Sequence, residues 1–223
     1  LIKRLFKFAY SILDMELNDK KLAILAAAEN VFSRRGIDAA SVREISKEAN
    51  INIAMISYYF GSKEKLVENL FSWRIAKFNA ALEQISDNEI LSPLEKLNEI
   101  LKSYLNRILD NPEFHRIMAR EYSKKDSILE VDKKINELKL KNLTYISKVI
   151  NEGYQQGVFK RKAPAEAVVM VVIGGTSYLI LNEKTYLELW GLNSHEEFAE
   201  RIHDEYYPYL MDSLKAILLY DEK

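Results

Sequence analysis

The sequence contains no cysteine. Disulfides, thiolate metal sites and cysteine nucleophiles are therefore excluded, and a reducing, cytoplasmic setting is the expectation. Glycine and proline are scarce, at 7 and 4 in 223 residues. An all-β chain needs turns at short intervals, so this scarcity points to an all-α protein. The three histidines, His115, His195 and His203, are scattered and form no HxH or HExxH spacing. His203-Asp204-Glu205 has the donors for a metal but reads as helix-surface charge. No convergent acid–base set can be assembled, and no glycine-rich phosphate loop is present. No catalytic residue, metal or cofactor is expected.

Long apolar runs are also missing. The longest, residues 167–181, is shorter than the roughly 18–20 residues that cross a bilayer, and Thr176 and Ser177 interrupt it. It reads as a buried helix rather than a membrane span. Gly174-Gly175 within it reads as a small pair that lets two helices approach closely. An excess of one charge is lacking too, since the net charge is −1. Its distribution is uneven: residues 1–65 carry 11 Lys and Arg against 8 Asp and Glu, and the remainder carries 21 against 25. A mildly basic N-terminal part on an acidic body suits a chain that meets phosphate at one end.

Hydrophobic residues make up 48% of the chain, and their spacing is helical. Residues 20–35 place Ile24, Leu25, Ala28, Val31 and Phe32 on one face, and Gly36 stops the helix. Ser41-Val42-Arg43-Glu44 is a capping box. It opens a short helix with inner residues Val42, Ile45 and Ala49. Asn50 follows where a left-handed residue is needed, Ile51 tucks inward, and Asn52 caps a second short helix through Phe60. Gly61 ends that helix and Ser62 caps the next, to about residue 85. Longer helices follow at 93–109, 112–124, 129–156 (apolar at Val131, Ile135, Leu138, Leu143, Ile146 and Ile150, and stopped by Gly157), 164–186 and 195–220.

Two short helices joined by a tight turn, 42–49 and 53–60, have helix-turn-helix spacing. In that arrangement the first helix braces the second, and the outer face of the second enters the major groove. The inner face is read as Ile53, Ile56 and Phe60. The outer face then carries Ala54, Met55, Ser57, Tyr58 and Tyr59, without a charge. Base reading falls to apolar contact, hydroxyls and water, while Ser41, Arg43, Tyr58, Tyr59 and Lys63 clamp phosphates. Asn52 completes the DNA-facing set.

The run Ile24-Leu25-Ala26-Ala27-Ala28-Glu29-Asn30-Val31-Phe32, then Gly36, Ser41-Val42-Arg43-Glu44-Ile45, Ala49 and Tyr59-Phe60-Gly61-Ser62-Lys63-Glu64-Lys65-Leu66 resembles the DNA-binding domain of the TetR/AcrR family. The resemblance is dense over 18–66; beyond residue 70 only helical character and length agree. It implies a three-helix DNA-binding head, a larger helical ligand-binding body, and a homodimer on double-stranded operator DNA. It also implies phosphate contacts at Tyr58, Tyr59 and Lys63 and base contacts around Met55. This chain departs from the pattern at Asn50, where the family usually has Gly, and at Asn52, where Ser or Thr is commoner. Ser57 stands where Tyr is frequent, and the adjacent Tyr58 is the candidate for that role.

The expected organisation is an N-terminal extension at 1–17, a helix-turn-helix domain at 18–66, and a ligand-binding and dimerisation domain at 67–223. Residues 1–13 resemble the front of a signal peptide but are short and lack a cleavage site. Met15 sits where many bacterial regulators begin, so residues 1–14 read as an upstream extension. The surplus of Val168, Val169, Val171, Val172, Ile173, Tyr178 and Leu179 points to a dimer formed by the helices at 164–186 and 195–220. Tyr104, Phe114, Met118, Tyr122, Tyr145 and Tyr178 are read on inward faces lining an apolar pocket for a small-molecule effector. His115, Arg116 and Arg120 are placed to fix its polar or anionic end. A helical small-molecule carrier is the rival reading; it accounts for the body but not for the arrangement at 41–66.

Overall fold

The computed structural model describes residues 19–125 and 133–220. The expected extension at 1–17 and the expected start of a long helix at Leu129, with Val131, lie outside the described residues. All regular structure among the described residues is helical. These residues fall into two compact units. One takes those up to Ala80 and those between Arg116 and Lys139; the other takes those between Ala81 and His115 and from Leu140 onward.

The first unit holds α1 (Asp19–Arg35), α2 (Val42–Glu48), α3 (Ile53–Phe60) and most of α4 (Lys63–Ser86). Ile24, Leu25, Ala28 and Phe32 of α1 are fully buried, together with Ile45, Leu66, Leu70 and Phe71. Helix α1 packs on α2, and α2 on α3. Inside this apolar core Arg74 of α4 grips Glu29 of α1 with two parallel hydrogen bonds of 2.8 and 2.7 Å. The fork geometry of the guanidinium satisfies both carboxylate oxygens at once. The unit also takes the second half of α6 (Pro112–Tyr122) and the start of α7 (Lys133–Gln155).

The second unit is built on α5 (Pro93–Asp110). A second capping box opens it: Ser92 Oγ accepts from the Glu95 amide, and the Glu95 carboxylate accepts from the Ser92 amide at 2.8 Å. Helix α5 packs against α8 (Ala165–Leu181) and α11 (Tyr207–Leu219), which also pack on each other. Lys96 of α5, almost wholly buried, pairs with Glu152 of α7 at 2.7 Å.

Two of the expected long helices are interrupted. The one read at 164–186 ends at Leu181, and α9 (Glu183–Trp190) leaves it at 72°. Asn182 makes the break, its side-chain amide donating to the Tyr178 carbonyl at 2.7 Å. The one read at 195–220 is α10 (His195–Arg201), a π-helical segment at Ile202–Tyr206, and then α11. Pro208 explains this. It has no amide to donate and its ring collides with the carbonyl four residues back, and the wider turn just before it absorbs the mismatch. Tyr186, Trp190, Phe198 and Tyr206 pack ring on ring around the interruption, with Arg201 over Trp190 at 4.7 Å.

Helix α8 is buried on one face only, through Ala165, Val168, Val172, Thr176, Leu179 and Ile180. The opposite face leaves Met170, Ile173, Tyr178 and Leu181 exposed, at 72, 40, 63 and 49%. The glycine pair does not serve packing within the chain. A side chain at Gly174 would meet nothing, and one at Gly175 would touch Leu210 at an ordinary 3.5 Å.

A different glycine is sterically required. A Cβ on Gly153, inside α7, would lie 2.2 Å from the ring of Phe159, which is 1% exposed. Gly→Ala within a helix ordinarily stabilises by about 1 kcal/mol. At Gly153 the sign should reverse, and Gly153→Ala should lose about 1–3 kcal/mol through overpacking. Urea unfolding followed by circular dichroism checks this; a gain in stability would contradict the packing described.

Candidate nucleic-acid interface

Helix α2 and the turn that leads from it to α3 are fixed by side chains capping backbone, at the start of each helix. Ser41 Oγ accepts from the Glu44 amide at 3.2 Å, and Glu44 Oε2 accepts from the Ser41 amide at 2.9 Å. Arg35 also reaches Glu44, at 3.1 Å. The Ser41 hydrogen bonds, and after them Arg35, hold the Glu44 carboxyl below its ordinary value, so the box is formed with the acid ionised. At the far end of α2, Asn50 takes φ 51° and is the only non-glycine described residue with positive φ. Only in that conformation does the chain turn sharply enough for the Ile51 amide to reach Ser46 O, at 3.0 Å. Asn52 Oδ1 then accepts from the Ala54 amide at 2.8 Å and opens α3. Gly61, at φ 79°, closes it.

Helix α3 is anchored by Ile56 and Phe60, 1 and 7% exposed. The expectation for Ile53 is corrected: it is 46% exposed, because α3 begins there and its cover starts one turn later. Asn52, Ala54, Ser57 and Tyr58 stand exposed, Tyr58 at 83%. Met55 and Tyr59 are half-buried. The Tyr59 ring meets Tyr58 edge-on at 5.1 Å and lies under Lys21 Nζ at 5.8 Å. Ser41 and Arg43 are exposed at the start of α2. Lys63 is half-buried, and its ammonium donates to the carbonyl of Asp38 at 3.0 Å. The result is a helix braced from behind, with an uncharged, hydroxyl-bearing outer face flanked by cationic and hydroxyl groups.

The residues read as a pocket are divided between the two units. Tyr104 and Phe114 are buried in the second unit. His115 Nε2 lies 2.9 Å from Ser177 Oγ of α8. Burial, and then the charge of Arg107, pushes His115 down to about 4, so it is neutral at pH 7. Tyr145 is half-buried beside Glu83; burial, and then that carboxylate, pushes its phenol up to about 12. Met118 and Tyr122 belong to the first unit. Two expected inward orientations are corrected. Tyr122 is 48% exposed beneath Lys139, and Tyr178 is 63% exposed on the open face of α8. In a helix apolar nearly all round, spacing does not distinguish the two faces. The sequence reading missed Asp38 and Lys124, which are ion-paired at 2.8 Å although 86 residues apart. No local signal marks that pair.

An all-α chain whose first unit presents a braced two-helix turn has the build of a DNA-binding regulator. Residues 24–70 match the family of bacterial regulatory proteins of the tetR type, and residues 93–206 match the tetracyclin repressor-like C-terminal domain. The chain belongs to the TetR family of transcription regulators, which is not a family of enzymes. It is 30% identical over 137 residues to the HTH-type transcriptional repressor NicS of Pseudomonas putida, covering 61% of this chain and 64%, under two thirds, of that one. Among solved structures it is similar to the regulator FadR of Bacillus subtilis in complex with stearoyl-CoA. That likeness has a TM-score of 0.64 at 20% identity, covering 86% of this chain and 96% of that one. It is also similar to HlyIIR, a hemolysin II transcriptional regulator, with TM-score 0.59 at 25% identity, covering 91 and 98%. Among the described residues no single helix is long and apolar enough to cross a membrane.

Two histidines of the second unit should titrate with opposite effects on stability. His115 is depressed to about 4 from 6.5. Its contribution is therefore present above pH 6.5 and lost as pH falls from there toward 4, because the unfolded chain binds the proton first. His195 has acceptors on both ring nitrogens, Glu183 Oε1 at 2.6 Å and Leu109 O at 2.8 Å, so both must donate. Burial opposes the charge, but those two hydrogen bonds, with the carboxylates of Glu183 and Glu196, raise His195 above 6.5. Its contribution is present below pH 6.5 and lost as pH rises through the raised value. Thermal melts at fixed protein concentration should show His115→Asn flattening the acid limb and His195→Asn flattening the limb above pH 6.5. Unchanged limbs would contradict these assignments.

Proposed function

We propose that this chain is a cytoplasmic repressor that binds a palindromic operator as a homodimer and leaves it on binding an amphipathic small molecule. The observation that carries the reading is α3 itself. It is a helix of eight residues, held from behind by Ile56 and Phe60, with no charged side chain between Ala54 and Ser57 and its outer face open to a major groove about 12 Å wide. In this reading residues 18–66 are the DNA-binding head, and residues 67–223 bind the effector and the partner. Ala54 and Met55 meet thymine methyl groups, and Ser57 and Asn52 meet base edges or bound water. Ser41, Arg43, Tyr58, Tyr59 and Lys63 hold phosphates and set the register.

The second copy is expected on the open face of α8. Met170, Ile173, Tyr178 and Leu181 form an exposed apolar stripe there, and Tyr209 of α11 is 71% exposed. Gly174 lies on the same stripe with open space above it, so a partner helix can approach closely. Two helices from each chain give a four-helix bundle with two-fold symmetry, which matches a palindromic site. The effector is expected among Tyr104, Phe114, His115, Ser177 and Tyr145 of the second unit. Neutral His115 and the Ser177 hydroxyl, 2.9 Å apart, are the polar groups such a ligand would meet. The stearoyl-CoA bound by FadR makes long-chain acyl thioesters the first compounds to try. Release follows if such a ligand prefers the conformation that binds DNA poorly, and DNA must then weaken ligand binding by the same factor.

Fluorescence anisotropy with a duplex from upstream of the chain's own gene tests this reading. Affinity should fall steeply with salt, as phosphate contacts release counterions. Tyr58→Ala and Lys63→Ala should each weaken binding about tenfold on any duplex, whereas Met55→Ala should change the preference among sequences. Sedimentation at micromolar concentration should give a dimer. A monomer, or Tyr58 and Lys63 variants that bind as well as the parent, would contradict the proposal.

A further inference from the structure

Asp38, in the turn between α1 and α2, stands between two lysines of the first unit. Its backbone carbonyl accepts from Lys63 Nζ at 3.0 Å. Its carboxylate lies 2.8 Å from Nζ of Lys124, just beyond α6. Lys124 is also held by Glu121, whose carboxylate is 2.5 Å away. The two carboxylates differ in kind: the Glu121 side chain is 5% exposed and the Asp38 side chain 83%. The ammonium is thus the partner of a buried carboxylate, which would be left unpaired without it, and Asp38 shares that ammonium from the solvent side. Arg120, on the same end of α6, donates to Ser33 O at 2.6 Å. With Phe32 and Ile117, the residues Asp38, Arg120, Glu121 and Lys124 line a cleft of about 250 Å3, so the end of α6 is tied to α1 and the following turn largely through these polar links.

An exposed carboxylate at this position works against DNA. It repels phosphate, and it competes with phosphate for Lys63, whose ammonium already touches the same residue. The Lys124 hydrogen bond and charge, and more weakly the charge of Lys63, hold the Asp38 carboxyl below its ordinary value. It is thus ionised at pH 7, and its effect on DNA depends on whether Lys124 covers it.

We propose that Lys124 is a positioning residue for DNA binding: by covering the Asp38 carboxylate it leaves Lys63 to the phosphate backbone, and its withdrawal turns Asp38 against the DNA. The inference rests on the DNA-binding reading above. It places the electrostatic control of the head at the end of α6, on a residue that is not itself required to touch DNA.

Lys124→Gln alone would leave the buried Glu121 carboxylate without its cation, so the test uses the pair Glu121→Gln with Lys124→Gln, which leaves the net charge of the site unchanged. The probe is a short fluorescein-labelled duplex of mixed sequence, read by anisotropy over a series of salt concentrations, with folding checked by circular dichroism. The double variant should bind roughly tenfold more weakly at low salt. Its slope of log affinity against log salt should shrink by about one per head. Asp38→Asn alone should bind as well as the parent or better. Adding Asp38→Asn to the double variant should restore parental affinity and slope, which a merely structural role for the pair would not do. A triple variant that stays as weak as the double, or an Asp38→Asn variant that is itself weakened, would overturn the proposal. A parent chain that binds no duplex at any salt would instead refute the DNA-binding reading, a distinct result that removes the proposal with it.

Discussion

The buried ion pair between Glu29 of α1 and Arg74 of α4 fixes the frame that carries α3. Helix α3 has eight residues, too few to be helical alone, since isolated helices under about 12–15 residues are marginal in water. Its place is set by the helices before and after it. Helix α1 supports α2, α2 supports α3, and only two residues separate α3 from α4. Two hydrogen bonds between a carboxylate and a guanidinium that are both largely buried lock α1 to α4. Removing one partner of such a pair costs about 3–5 kcal/mol, because the other charge is left stranded. With that frame in place, Ile56 and Phe60 suffice to hold α3, and its outer residues are left to contact a ligand.

The features legible in the sequence are those whose cause lies within a few residues. Ser41 and Glu44 are three apart and form the capping box the spacing predicts. Asn50 takes the left-handed conformation, and Asn52 caps the helix after it. What was not legible depends on residues far apart or on which of two apolar faces is covered. Ile53 satisfies the helical period yet is exposed, because period says nothing about how far α2 extends along α3. Tyr178 sits in a stretch apolar on every side, so its outward direction follows from the packing of α5 and α11, not from spacing. The π-helical segment before Pro208 did have a local signal, the proline itself, which the reading of one continuous helix passed over. The contacts of Asp38 with Lys124 and Lys63 join parts of the chain that only the fold brings together.

The body leaves a sizeable part of its apolar surface in the open. Met170, Ile173, Tyr178 and Leu181 share one face of α8 and stand exposed there, although the Tyr178 ring still meets Tyr186 edge-on at 6.4 Å. The ring cluster of Tyr186, Trp190, Phe198 and Tyr206 stiffens the bend between α8 and α11, so the stripe sits on a defined frame. Steric demand is concentrated elsewhere, at Gly153 against Phe159, while Gly174 of α8 faces open space. That division of close packing inside and open small residues outside is what a helix requires if it serves both a core and a second copy.

The central claim is that α3 reads DNA as one half of a symmetric pair. Selection of binding sequences from a library of random duplexes by the full chain tests it most directly. An enriched palindrome is expected, with half-sites centred about one helical turn, roughly 34 Å, or a multiple of it, apart. Enrichment should collapse when Met55, Ser57 and Tyr58 are replaced together by alanine. No enrichment over the starting library, or enrichment that survives that replacement unchanged, would contradict it.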